Sequence, residues 1–204
     1  MRHWLLLPAL LPGLLAAQSI DTSLVDLAAL DTTLRFDVRY ASADNFTGVA
    51  VYPVARALLR HEAAEALLAV QAELRKEGLG LLIWDAYRPL SVQRVFWSLV
   101  PDERYVADPA KGSRHNRGAA VDLTLCDLQG RPLPMPTAFD DFSERAHRGA
   151  TGWTPEQRRN SERLQAAMER HGFTGLPTEW WHYDLVGWSR YGVLDIALDA
   201  AGRH

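Results

Sequence analysis

The stretch from Ser113 to Asp122 constrains this chain more than any other. Residues 119–125 read as a buried strand: Ala120 and Val121 lead into Asp122, and Thr124 and Leu125 follow. The strand is entered from a loop that carries His115, with Gly118 standing between the two. Glycine reaches positive φ without strain, so a turn at Gly118 lets a loop histidine and a strand carboxylate converge on one point.

The remaining elements can be placed around that junction. Leu34, Phe36, Val38 and Tyr40 alternate with Arg35, Asp37 and Arg39, which predicts a half-buried strand over 34–40 with Tyr40 at its inner end. A turn-rich loop over 44–48 follows. Leu59, Ala63, Leu67, Val70 and Leu74 fall at helical spacing, predicting a helix from Val54 to Glu77 that Gly78 stops. Leu79 to Trp84 has the length and apolarity of a buried strand, and Pro89 opens a helix through Ser91 to Leu99. Residues 100–114 read as a loop delivering His115. A long irregular stretch runs from the 119–125 strand to Trp153, and loops of that length in a small domain are usually functional. Thr154, Pro155 and Gln157 spell a capping box before a helix lined by Leu164, Ala167, Met168 and His171. An aromatic-rich strand over 178–186 closes the set. Hairpin-like spacing near 119–135 and 178–186 favours an antiparallel sheet, so the fold expected is α+β, one compact domain with a central antiparallel sheet flanked by helices.

At 204 residues with 48% hydrophobic and 23% charged content, the chain has enough length for one core. Its net charge of −3 and the absence of a Lys/Arg cluster argue against a nucleic-acid partner. Residues 1–17 read as a secretory signal peptide. Arg2 and His3 precede an apolar run from Trp4 to Leu15 that is too short to span a membrane, and Leu15, Ala16 and Ala17 form a small-residue cleavage site before Gln18. The expected division is thus 1–17 as signal and 18–204 as the mature domain, with a periplasmic or extracellular destination. No membrane insertion of the mature chain is expected. Cys126 is the one cysteine, so no internal disulfide can form; it reads as a buried small hydrophobe, the alternative being a fourth metal ligand.

His115 and His182 sit at strand–loop junctions beside carboxylates, unlike the other histidines. With Asp122 they make two imidazoles and one carboxylate, the donor set of a catalytic zinc site with one position left for water. Glu179 is then the spare carboxylate, suited to act as general base. Spacing alone leaves the two histidines open between metal ligands and core histidines, the commoner outcome. Glu179 and His182 would point to opposite faces of a regular strand, so the reading requires a bend near Trp180. Arg88, between Tyr87 and Pro89 at the end of a buried strand, is open between two roles. One is an arginine neutralised by a carboxylate such as Asp85, the other a fixed cation for a developing oxyanion.

The segments Asp85 to Pro89, Ser113 to Asp122 and Glu179 to His182 resemble those of the zinc D-alanyl-D-alanine dipeptidases, the family known from vancomycin resistance. The likeness extends to Tyr40 to Gly48, Tyr105 to Pro109 and Met135 to Glu144, covering roughly residues 34 to 195. It implies one zinc per chain held by His115, Asp122 and His182, with Glu179 as general base and Arg88 on the oxyanion. It also implies that Tyr40, Ser113 and Asp140 lie around the substrate, the last two near its ammonium group. The implied substrate is the free dipeptide D-alanyl-D-alanine. The implied fold is the α+β domain shared with D,D-carboxypeptidases and the hedgehog signalling domain. Two alternatives stand beside this: a zinc carboxypeptidase or L,D-endopeptidase acting on peptidoglycan stems, and a catalytically silent zinc module.

Overall fold

The computed structural model describes residues 23–200; the signal-peptide reading of 1–17 lies outside them. In chain order the elements are β1 (Leu24–Asp26), α1 (Leu27–Leu30), β2 (Arg35–Phe36), β3 (Leu58–Arg60), α2 (His61–Arg75), β4 (Leu79–Asp85), α3 (Leu90–Leu99), β5 (Ala120–Asp127), α4 (Pro155–Arg170), β6 (Phe173–Gly175) and β7 (His182–Leu185). The main sheet has the order β2-β4-β5-β7-β6, and β1 pairs with β3 in a separate ribbon. The domain is α+β as expected, but the sheet is mixed: β2 runs parallel to β4, while the other pairs are antiparallel.

The period of two in β5 divides the molecule. Val121, Leu123 and Leu125 are buried with Leu81 and Ile83 of β4 in one core, against Ala63, Leu67, Val70 and Leu74 of α2 and Leu164, Ala167 and Met168 of α4. Each fully buried leucine there contributes about 1.5–3 kcal/mol. The alternate positions, Asp122 among them, face the other side of the sheet. Thr154 starts α4 with the expected capping box, Pro155 in the first turn, and Gly78 (φ 75°) follows α2.

Three expectations need correction. The helix read from Val54 begins at His61, because Leu58–Arg60 pairs with β1 instead; Leu59 fits the helical phase but is a strand residue. The strand read over 34–40 buries Leu34, Val38 and Tyr40 and exposes Asp37, yet Phe36 is only half-buried and its ladder is two residues long. Asp37 N–H donates one further bond to the Ile83 carbonyl (2.9 Å), and the chain then turns so that Tyr40 sits in a 3-10 turn, Arg39–Ala41. The strand read over 178–186 starts only at His182.

Candidate active site and metal centre

The site is a row of polar side chains laid across three adjacent strands. Asp122 of β5 lies directly opposite His182 of β7 and opposite Asp85 of β4. The register slips between Ile83 and Asp85, a bulge at Trp84 that brings Asp85 rather than the indole opposite Asp122. His115 reaches the row from a 3-10 turn, His115–Arg117, that ends on Gly118 in the left-handed region (φ 67°). A Cβ at Gly118 would come within 2.6 Å of Leu24 Cδ2 and 3.4 Å of the Arg60 backbone nitrogen. Gly118→Ala should therefore destabilise the fold by roughly 1–2 kcal/mol from backbone strain alone. Denaturant unfolding reads this directly; an unchanged midpoint would remove Gly118 as the hinge of the turn.

The bend required beside Trp180 is present. Glu179 N–H donates to the Leu176 carbonyl in a turn, Trp180 N–H to Ala146, and the Trp180 indole N–H to Thr137 Oγ1 (2.8 Å). Chain direction changes before β7 begins, so Glu179 and His182 share one side, with Glu179 Oε2 at 3.9 Å from His182 Nδ1.

His115, Asp122 and His182 are buried and place one donor atom each within 4.8 Å of one another. His115 Nδ1 lies 2.6 Å from the Ala86 carbonyl, which can only accept, so this nitrogen carries the hydrogen and Nε2 turns its lone pair inward. His182 Nε2 lies 2.8 Å from Asp184 Oδ1, leaving Nδ1 to face inward. That Nδ1 is 3.0 Å from Asp122 Oδ1 and 3.2 Å from His115 Nε2, and Asp122 Oδ2 is 3.3 Å from His115 Nε2. Burial disfavours charge on His182, but Asp122 and Asp184 outweigh it and push its pKa up to about 10. Asp122 is held far below the usual carboxylate range: burial opposes this, and the two imidazoles beside it prevail. Inward lone pairs on two nitrogens and a carboxylate, with their outer hydrogens committed elsewhere, fit a divalent metal of the zinc type.

Around this centre lies a cleft of about 290 Å³, at the lower end of small-molecule sites. Its lining includes all eight residues singled out in the sequence: Tyr40, Arg88, Ser113, His115, Asp122, Asp140, Glu179 and His182. Glu179 has its pKa raised by burial, with the Asp122 charge adding to it and His182 opposing. Arg88 is paired with a carboxylate, Asp85. Asp85 Oδ2 accepts from its Nε (3.1 Å) and Nη2 (2.7 Å) and Gln93 Oε1 from its Nη1 (2.9 Å). These bonds use three of five guanidinium hydrogens, and two remain. Burial works against the Arg88 charge, but Asp85 holds it cationic.

Tyr40 donates from its hydroxyl to both oxygens of Asp140 at 3.1 Å. Asp140 has a left-handed backbone (φ 59°), unusual outside glycine. Burial, reinforced by the Asp122 charge, pushes its carboxyl up to about 8. An incoming cation would draw it down again. Ser113 and Asn116 bond reciprocally, Ser113 N–H to Asn116 Oδ1 (2.7 Å) and Asn116 N–H to Ser113 Oγ (3.1 Å). The serine hydroxyl hydrogen is thereby left for another partner.

Cys126 takes no part. It is buried in β5, its thiol is pushed up to about 11 by burial, and it lies outside the ligand cluster. Three residues were not read as functional from sequence. Tyr52 donates to Asp85 (2.7 Å), Gln93 links Arg88 to the Ala107 carbonyl, and Asp184 accepts from His182. A signal existed for Asp184, since His182 and Asp184 are two apart in a strand and share a face.

The family model described as Peptidase_M15, D-ala-D-ala dipeptidase, matches residues 20–195. A D-alanyl-D-alanine dipeptidase of Escherichia coli (strain K12) is 43% identical over 176 residues, covering 86% of this chain and 91% of that protein. One from Enterococcus faecium is 37% identical over 173 residues, 74% of this chain and 86% of its own. One from Enterococcus faecalis (strain ATCC 700802 / V583) is 35% identical over 174 residues, 75% and 86% respectively.

Proposed function

The chain belongs to the Peptidase_M15 D-Ala-D-Ala dipeptidase family, and on that premise we propose that its cleft hydrolyses the free dipeptide D-alanyl-D-alanine to two molecules of D-alanine. The observation that carries this reading is the convergence of metal-type donors, Glu179, Arg88 and the Tyr40–Asp140 pair on one small cleft. The metal is zinc, one per chain, held by His115, Asp122 and His182. When bound it supplies Lewis acidity, acidifying water and polarising the scissile carbonyl.

The residues of the chain divide the remaining work. Glu179 accepts a proton from the attacking water, and its raised pKa keeps it a strong enough base for this. The same carboxyl then hands that proton to the departing amine as the C–N bond breaks. Arg88, fixed by Asp85 and Gln93, turns its two spare N–H groups to the carbonyl oxygen as negative charge builds there. Because the guanidinium is already oriented, no reorganisation is needed at that moment. Asp140 and Ser113 take the substrate's ammonium group, and a positive charge beside Asp140 stabilises its ionised form. An acylated N-terminus offers no such cation, which favours the dipeptidase over a carboxypeptidase or endopeptidase of wall stems.

The test is release of D-alanine from D-Ala-D-Ala by zinc-loaded protein, beside N-acetyl-D-Ala-D-Ala and beside a chelator. Cleavage of the free dipeptide alone, abolished by the chelator, is the expected result. Equal or better cleavage of the acetylated peptide would move the assignment to a carboxypeptidase and remove Asp140 from its role. Zinc binding without cleavage of either would point to a silent binding module.

Export to the periplasm or outside is proposed on the signal-like character of residues 1–17. Such an address suits scavenging or turnover of D-Ala-D-Ala better than destroying it before wall assembly. Finding the unprocessed chain in the cytosolic fraction of its native host would overturn this.

A further inference from the structure

Asp184 stands behind the metal centre rather than in it. It lies two residues after His182 on the same face of β7 and is buried, with its Oδ1 2.8 Å from His182 Nε2. It does not line the catalytic cleft. It lines an adjoining pocket of about 390 Å³ together with Arg114 and Trp188, and Arg114 is shared with the cleft. Asp184 thus touches the metal-type donors through His182 alone, with Arg114, which also lines the cleft, as its other charged neighbour.

We propose that Asp184 is a positioning residue that fixes the tautomer and ring orientation of His182, so that Nδ1 is presented to the metal. An imidazole in contact with a carboxylate at Nε2 keeps its hydrogen there, which frees the Nδ1 lone pair and makes it a stronger donor. Asp184 is itself pinned: Arg114 Nε lies 3.5 Å from Asp184 Oδ2, and the Arg114 guanidinium stacks over the Trp188 ring at 4.9 Å. The two histidines are thus held by unlike means. The outer hydrogen-bond partner of His115 is the Ala86 backbone carbonyl, with the Asp85 carboxylate farther off at 3.8 Å. The outer partner of His182 is an anion, giving the stronger, charge-assisted bond, and it rests on one side chain.

This inference rests on the metal reading above, and the test separates the two. Zinc affinity is measured by competition with a chromophoric chelator for the wild-type protein, Asp184→Asn and Asp184→Ala. In parallel, imidazole nitrogen shifts of His182 are recorded in the zinc-loaded proteins. Asp184→Ala should bind zinc about 10–100-fold more weakly. Asp184→Asn should fall between, because its amide oxygen still accepts from Nε2–H. The wild-type spectrum should show a metal-bound Nδ1 and a protonated Nε2, and Asp184→Ala a mixture of forms. Wild-type affinity in Asp184→Ala would overturn the proposal. So would equal loss in both variants that merely follows the unfolded fraction measured by circular dichroism, since that marks a structural role. A wild-type protein that binds no zinc would remove the metal reading, and this inference with it.

Discussion

Glu179→Ala should bind zinc as the wild-type protein does and lose nearly all turnover, by about 10²–10⁴-fold in kcat. The separation follows from where Glu179 sits. It is not among the three residues whose donor atoms cluster within 4.8 Å, but its carboxylate comes within 3.9 Å of His182 Nδ1, next to where water must be activated. Its removal leaves the three donors His115, Asp122 and His182 untouched, so metal affinity has little reason to collapse. Zinc content after gel filtration and kcat on D-Ala-D-Ala are the two readings. A variant that keeps its zinc and stays active would strip Glu179 of the base role. Loss of zinc together with activity would instead make it a ligand.

The opposite pattern is expected for His182→Ala, in which metal and turnover disappear together. The imidazole lies between Asp122 at 3.0 Å and Asp184 at 2.8 Å. Without it, two buried carboxylates face each other across a hole, with only the His115 ring beside Asp122 and Arg114 beside Asp184. Leaving buried charge uncompensated costs about 3–5 kcal/mol, so the metal-free variant should also melt earlier. His182→Gln, which restores a polar group in the gap, should recover part of the stability and little of the zinc affinity. Added zinc should raise the melting temperature of the wild-type protein and of Glu179→Ala, and leave both His182 variants unmoved. A zinc-induced shift of wild-type size in His182→Ala would remove His182 from the ligand set.

Much of this site was readable in the sequence because it lies on or beside long, regular signals. The runs 79–84 and 119–125 form β4 and β5, extended by one and two residues at their C-terminal ends, and the capping box at Thr154 begins α4. The motif residues hung on those elements meet in one cleft. What escaped was short or ambiguous. β1, β3 and β6 have three residues each, too few for a period to show. Leu58–Arg60 vanished into the α2 pattern because Leu59 keeps the helical phase and no capping side chain marks the boundary at Arg60. The parallel pairing of β2 with β4 is a long-range choice that local alternation does not encode. For Arg88 the sequence left the ion pair and the oxyanion cation open; the ion pair with Asp85 is present, and two guanidinium hydrogens remain beside it.

The row of Asp85, Asp122 and His182 across neighbouring strands carries a consequence for how such an enzyme can change. Adjacent strands lie about 4.8 Å apart wherever a sheet forms, so the spacing of these three side chains, two of the metal-type donors among them, is set by backbone pairing. Tyr40, Ser113 and Asp140, which line the cleft, come instead from turns and loops outside the ladder. Lengthening or exchanging those loops can remodel what the cleft admits while the strands keep the hydrolytic centre in place. Descendants of one ancestral sheet could in this way come to cut free dipeptides, stem peptides or larger substrates with the same chemistry.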